Sequence, residues 1–494
     1  MQKNTHTGIL FKSSSRTAQP QPPIIQAGLA TGTLQPKYDL TPYRPSQHTT
    51  IIKRRQRAIS WPVKIAGAIS ASVMLLTIGF AWHTYAQVSQ VFQGKVTKTE
   101  VDSKDASVQL LSGENQGRVH LLVMGTAGAK YQASDLTDTM AIMSIDIVTK
   151  KVTMLPLPKD LKVTMPNQYF GAQQALNTVY ASGKYNFLGK AAYTRNDPET
   201  VQAGFAAIDK VVHEITGIAI DYNIVVNFDS FGSAIDAIGG VSIKLPQRYH
   251  DASMVAEYNH KPLTIPAGNQ VLDGKKALQY ARSMQDGEEA RSKRQLQIIN
   301  GFVEQLIAME SANQVSALPK LFHSLSANMR TDLSLQAAQR LFTIGTSGYD
   351  TEAVQVISLA DLLEPDGNEA APMVQPKLGP GQYKQIQDYV QSKLPSDTVA
   401  REQGKVVVMS DATQAADARL QELRSTGMVV TQYPQTTATS VVKPHKSVII
   451  DVSNGRAPYT RYVLSQYYQA AVQSEVPAGL QVPDGADFVI LPSA

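Results

Sequence analysis

Gly183 to Lys190 has the outline of a phosphate-binding P-loop, but the glycine spacing is one residue too long, and Ala191 stands where a Ser or Thr would bind magnesium. There is no His-Glu-x-x-His pair for a hydrolytic zinc and no Gly-x-Ser-x-Gly elbow for acyl transfer. The nine histidines are scattered singly, and His213 beside Glu214 reads as a helix-surface pair. Zero cysteines exclude disulfides, thiolate zinc sites and a cysteine nucleophile. The set left standing is acidic and basic: Asp135, Asp138, Lys159, Asp160, Arg282, Glu288, Arg291, Arg294 and Gln295. Arg291 and Gln295 are four apart and share a helix face. Carboxylates hold hard cations and guanidinium groups fork onto oxyanions, yet the types alone name no reaction.

These residues must be positioned by an alternation of strands and helices. Arg118 to Met124 is an apolar run before Gly125, and Thr139 to Ile147 with Lys151 to Leu155 predicts a hairpin around Val148-Thr149-Lys150. Asn196-Asp197-Pro198-Glu199 opens a helix that Gly217 closes, with Val201, Phe205, Ile208, Val212 and Ile215 on one stripe that reads as core before lipid groove. Tyr222 to Val226 is a strand, Ser230 to Ile238 a helix ended by Gly239-Gly240, and Val241 to Leu245 a strand. Helices are expected at about 273–284, 288–309, 314–326 and 335–345. The result is an α/β or α+β domain over 118–363 with helices covering the sheet. Five prolines around one helix, Gln382 to Leu394, mark 364–402 as a linker. Residues 403–494 read as a smaller α/β domain, in which Thr413 to Arg424 and Pro458 to Gln473 are helices and Val406–Val408, Met428–Val430, Val448–Ile450 and Phe488–Leu491 strands.

The beginning of the chain is of another kind. Nine of the 46 Lys and Arg residues fall in the first sixty positions against Asp39 alone, which leaves the remainder slightly acidic, with 37 basic against 40 acidic groups. A nucleic-acid partner is therefore not expected: phosphate neutralisation needs a basic face, and only a tail offers one. Six prolines and no sustained periodicity predict a disordered cytoplasmic tail over 1–60. Ile65 to Trp82 carries no charge, the two tryptophans of the chain flank it, and Lys53-Arg54-Arg55-Gln56-Arg57 precedes it. That pattern predicts a single transmembrane signal anchor over 61–86, a stalk over 87–117 and C-terminal domains outside the cell.

Seven segments carry a resemblance. Val119-His-Leu-Leu-Val-Met-Gly125, Leu136-Thr-Asp-Thr139, Leu157-Pro-Lys-Asp160, Ile238-Gly-Gly-Val241, Leu272-Asp-Gly274, Ala277-Leu-Gln-Tyr-Ala-Arg282 and Arg291-Ser-Lys-Arg-Gln295 occur in the order seen in the LytR-CpsA-Psr family. Residues 405–494 resemble the small C-terminal domain that often follows it. The resemblance implies an α/β domain with a central mixed sheet, and a membrane-anchored phosphotransferase that takes a glycopolymer from a polyprenyl (pyro)phosphate carrier and attaches it to peptidoglycan, with magnesium as cofactor.

Carried over by motif, the resemblance makes Asp138 a metal ligand, Arg282 the first Arg of a phosphate-binding pair, and Arg291 and Gln295 the paired groups on the next helix, with Glu288 where the family has Asp. Lys159 stands for an Arg that would bind phosphate. Ala127 replaces a metal-site Asp, Leu136 an Arg and Met284 the second Arg of the pair; Asp135 is the carboxylate available to make up the metal site. Each residue also has a plain structural reading: Asp138 capping a turn, Arg282 and Arg291 on a solvated face, Glu288 favouring a helix N-terminus. Three functions remain: a divergent, magnesium-dependent phosphotransferase, a weakened relative serving as a scaffold that binds prenyl-linked glycopolymer or wall glycan, and a transcription factor. The last is weakest, because the anchor places the folded domains across the membrane from DNA and the tail has no helix-turn-helix pattern.

Overall fold

The computed structural model describes residues 110–127, 135–167, 169–188, 197–253, 262–311, 329–346, 354–410, 414–434 and 446–493. The basic tail, the anchor expected at 61–86, most of the stalk and the whole of the helix expected at 314–326 lie outside them. Among the described residues no helix is long and apolar enough to cross a membrane.

In chain order the elements around the larger sheet are β1 (Arg118–Thr126), β2 (Thr137–Asp146), β3 (Val152–Pro156), α1 (Val179–Leu188), α2 (Pro198–Thr216), β4 (Tyr222–Asn227), α3 (Phe228–Ala237), α4 (Gly274–Arg282), α5 (Gly287–Ser311), β5 (Met329–Thr331), α6 (Leu335–Thr346) and β6 (Val354–Val356). There follow α7 (Lys384–Lys393), α8 (Thr398–Glu402), β7 (Lys405–Met409), α9 (Gln414–Ser425), β8 (Val429–Tyr433), β9 (Val448–Asp451), α10 (Pro458–Tyr468), β10 (Val472–Gln473) and β11 (Phe488–Leu491). The larger sheet is mixed, with strand order β5-β4-β1-β2-β3-β6. Strands β4 and β1 are parallel, as are β3 and β6, while β2 is antiparallel to both β1 and β3. The carboxyl ends of β1, β3, β4 and β6 therefore lie along one edge.

Strand β1 is central, which explains its nearly continuous apolar run: both of its faces are covered. Leu122 and Met124 pack with α2 residues Val201, Phe205, Ile208, Val212 and Ile215, so the stripe read as core is core. The ends of α2 are set locally. Asp197 accepts from the Thr200 amide at 3.2 Å, Pro198 opens the first turn and Gly217, at φ 73°, closes the last. Gly183 belongs to α1 rather than to a phosphate loop; a Cβ there would stand 2.5 Å from the Ala203 carbonyl oxygen, so the glycine lets α1 and α2 cross closely.

The alternate residues of β1, Val119 and Leu121, face the other way, into a cluster that also holds Ile344 of α6 and Val406, Val408, Phe488 and Ile490 of the smaller sheet. That sheet has the order β8-β7-β11-β9-β10. Its core is thus continuous with the back of the larger sheet. The segment read as a linker is equally well packed. Its helix forms where expected, and Ile386, Val390 and Leu394 are fully buried against the α2 face, because prolines at its flanks set chain direction without removing its apolar stripe. Helix α10 is shorter than the expected Pro458 to Gln473. Gln469 turns left-handed at φ 47°, and Val472–Gln473 then pairs with Ile449–Ile450.

Candidate active site

Asp138 owes its position to an irregularity in β2. Gly125 pairs with Thr139 and Thr126 with Thr137, so Asp138 is an extra residue with no partner across the ladder, a β-bulge. Bulges bend a strand and re-aim a side chain, and they recur beside active sites. Asp138 is half-buried and makes no hydrogen bond or ion pair among the described residues. On the other side of β1, Thr126 pairs with Asn227, and the next residue, Phe228, starts α3. The Arg282 guanidinium lies over the Phe228 ring at 4.4 Å. The bulge and this arginine thus occupy one edge of the sheet, on elements whose backbones are two strand spacings, about 10 Å, apart. Lys159 follows the carboxyl end of β3 on the same edge and forms a half-exposed pair with Asp160 at 3.3 Å.

Arg282 ends α4, whose start is set by Asp273 capping the Lys276 amide at 2.7 Å and by Gly274 pressed on Gly232, where a Cβ would meet the carbonyl oxygen at 2.0 Å. The Leu272-Asp-Gly274 segment thus aims the helix that carries the arginine. Gln295 donates from its Nε2 to the Ala281 carbonyl at 3.3 Å, which ties α5 to the end of α4 and brings Arg291, one turn earlier on α5, to the same corner. Glu288 is in the first turn of α5; its side chain lies outside the described residues. Arg294 is a clamp. It is buried, donates to the Tyr280 carbonyl at 3.0 Å and to both oxygens of Asp286 at 2.9 Å, and also binds the Ser283 carbonyl. Met284 is exposed.

Asp135 sits just before β2 with both oxygens engaged: Lys184 Nζ donates to one at 3.0 Å and the Tyr185 hydroxyl to the other at 3.1 Å. Lys184 is among the most buried long side chains and lies 5.7 Å from the Tyr180 ring. Arg330 on β5 pairs in register with Val225, which puts it on the α1 and α2 face of the sheet. Burial pushes the Tyr180 phenol up, and Asp135 adds to the effect while Arg330 opposes it. Burial pulls the Arg330 pKa down, with Tyr180 working against it. Lys184 and Arg330 are cations at this edge that the sequence reading missed. One signal was present: Lys184 follows Tyr180 by four residues and so shares its buried helix face.

The edge gathers Arg282, Arg291, Arg330, Lys159 and Lys184 against Asp135, Asp138 and Asp160, an excess of positive charge that suits an anion. Among the described residues no three His, Asp or Glu side chains are grouped so as to hold a metal by themselves. Leu136 packs against Ala181 and Tyr185.

Known proteins place the chain. It is 24% identical over 312 residues to the polyisoprenyl-teichoic acid–peptidoglycan teichoic acid transferase TagV of Bacillus subtilis (strain 168), covering 63% of this chain and 71% of that protein. It is 26% identical over 302 residues to the enzyme of the same type, TagU, of Oceanobacillus iheyensis, covering 59% and 83%. Among solved structures, that of B. subtilis TagV aligns at 21% identity with a TM-score of 0.43, covering 56% of this chain and 98% of the other. The model of the LytR_cpsA_psr family matches residues 83–376, more than half of the chain, and its span takes in the bulge at Asp138, Lys159 and the corner of Arg282, Arg291 and Gln295: the chain belongs to the LytR-CpsA-Psr family.

Proposed function

We propose that this chain is a divergent, membrane-anchored phosphotransferase of the cell envelope, which moves a glycopolymer from a polyprenyl (pyro)phosphate carrier onto peptidoglycan. One observation carries the reading: the register of β2, β1 and β4 brings the Asp138 carboxylate, unpartnered among the described residues, and the Arg282 guanidinium to a single cationic edge. Its relatives are named as teichoic acid transferases, and the same chemistry suits this edge. Arg282 and Arg291 would fork onto the pyrophosphate oxygens, Lys159 would meet them as a point charge from the rim, and Gln295 would keep the α4–α5 corner closed. Catalysis of this kind is mainly positioning and charge stabilisation.

Magnesium fits the residues present as an ion shared with substrate, since it keeps several waters and needs only one or two carboxylates beside phosphate oxygens. Asp138 would hold it, and Asp135 would join only when Lys184 leaves it for the phosphate. When bound, the ion would offset the charge of the pyrophosphate. The anchor at 61–86 would keep the site outside the cytoplasmic membrane, within reach of a lipid-linked donor.

The test incubates the full chain in detergent with a labelled glycan on a short polyprenyl pyrophosphate, magnesium and purified peptidoglycan. Label should become covalently attached. Arg282→Ala should slow attachment about ten- to a hundredfold, the worth of a charge-assisted contact of roughly 1.5–3 kcal/mol, with little change in Tm. No attachment, and no rise in Tm with saturating polyprenyl phosphate, would refute the proposal. A scaffold that binds the glycopolymer without transferring it is favoured by the apolar packing of Leu136 and the exposed Met284; its signature is a Tm shift without attachment.

A further inference from the structure

A cleft of about 580 Å³ opens where the β2–β3 turn meets α10, lined by Val148, Lys150, Arg461, Tyr462, Gln466 and Gln469 among others. This is the opposite end of the larger sheet from Asp138 and Arg282. Nine residues of β1 separate the two, about 30 Å, so nothing held here touches groups reacting at the other edge.

Two of the lining residues occupy backbone positions that favour glycine. Lys150 has φ 60° and Gln469 has φ 47°, and each is a place where a side chain strains the chain. A hairpin turn and a helix C-terminus ordinarily take Gly or Asn at such points. Here both carry long polar side chains, and both line the same cleft. Strain of this sort gathers where a side chain has a task.

The Lys150 ammonium stands 5.2 Å from the centre of the Tyr462 ring and has no salt bridge among the described residues. The nearby Glu114 carboxylate is already taken by Arg340, the Tyr462 hydroxyl and the Leu111 amide. Burial lowers the Lys150 pKa, with Arg340 adding to the effect while Glu114 and Asp146 oppose it. Arg461 brings a second cation, half exposed and only loosely paired with Asp451 at 3.6 Å. The amides of Gln466 and Gln469 line the cleft; the Gln466 oxygen accepts from Arg340 Nη2 at 2.9 Å and its nitrogen donates to Ser465 Oγ at 3.3 Å, which leaves a second lone pair and a second N–H for a ligand, while Val148 and Val472 give an apolar floor and Tyr462 an aromatic wall. Vicinal hydroxyls on a ring with one apolar face match the amides and the floor; a carboxylate matches the two cations.

We propose that this cleft binds a carboxylate-bearing oligosaccharide, a second glycan site that holds the wall polymer away from the phosphoryl edge. The choice of a wall glycan rests on the function proposed above, whereas binding is measured without any transfer, so either can fail alone. The test titrates the full chain calorimetrically with a tetrasaccharide alternating N-acetylglucosamine and N-acetylmuramic acid, and with the neutral tetramer of N-acetylglucosamine. The acidic sugar should bind at least tenfold more tightly. Lys150→Gly and Gln469→Gly should each weaken it tenfold or more while leaving Tm unchanged or higher, because both relieve strain. Lys150→Asn, which also accepts positive φ, should repeat the loss. Equal binding of the neutral tetramer, no binding of either sugar, unchanged affinity in the variants, or a fall in Tm with all three would each overturn the proposal.

Discussion

Replacing Glu114 by alanine should loosen the join between the two sheets more than any other single change near it. Glu114 is fully buried and accepts from the Leu111 amide at 2.8 Å, from Arg340 Nε at 3.1 Å and from the Tyr462 hydroxyl at 2.9 Å, with a further bond from Arg340 Nη2. Arg340 belongs to α6 and Tyr462 to α10, so one carboxylate gathers elements from both parts of the chain. Removing one partner of a buried pair costs about 3–5 kcal/mol, since the remaining charge is left without its counter-ion. Arg340 keeps a bond to Gln466 at 2.9 Å and some solvent contact, which puts the expected loss near the lower end, about 3 kcal/mol. Glu114→Gln retains shape and an acceptor, and should cost about half as much. Urea unfolding of the full chain measures the totals, and amide exchange shows where they fall: protection should drop in 335–346 and 458–468 before it drops in β1. A loss below about 1 kcal/mol for the alanine variant, or unchanged exchange in α10, would refute the idea that this carboxylate holds the seam.

Lys184→Met leaves the Asp135 carboxylate without its buried counter-ion and should destabilise by about 3 kcal/mol; with Asp135→Asn present as well the effects should be non-additive by more than about 1 kcal/mol, and additivity in urea unfolding would count against the pair. Asp209 is raised from 3.8 to about 7 by burial, against the pull of its bond from Asn223 and helped by Asp332. Its stability contribution is therefore fully present below pH 4 and is lost as pH rises through about 7, so Asp209→Asn should gain on the wild type by about 2–4 kcal/mol between pH 4 and pH 8. The new amide can also donate to Asn223 Oδ1, which has no partner among the described residues; a gap between the two proteins that stays constant with pH sinks this reasoning. Finally, Ala127→Asp with Leu136→Arg and Met284→Arg introduces the groups that the motif resemblance implies for these three positions. A faster transfer in the triple variant identifies a decayed site, and no gain over an active wild type identifies a self-sufficient one.

What could be read along the chain was whatever a few neighbouring residues decide. The Asp197 cap, the Gly217 stop and the apolar stripe between them act within one or two turns, and they specify α2 and its buried face by themselves. The same holds for the apolar run of β1 and for the order of motifs that placed Asp138, Arg282 and Arg291 in one family. Residue type at a motif position could not say what each side chain touches. That Asp138 stands on a bulge depends on the pairing of β2 with β1, and that Asp135 is bound by Lys184 depends on a helix 49 residues further on. No Gly or Pro marks the end of α10: Gln469 adopts a left-handed turn while the following residues find a strand partner in β9. Glu114 carries no local signal whatever. Its partners Arg340 and Tyr462 lie 226 and 348 residues away, so its role, and the cleft beside it, exist only once two sheets have packed back to back around a common apolar core.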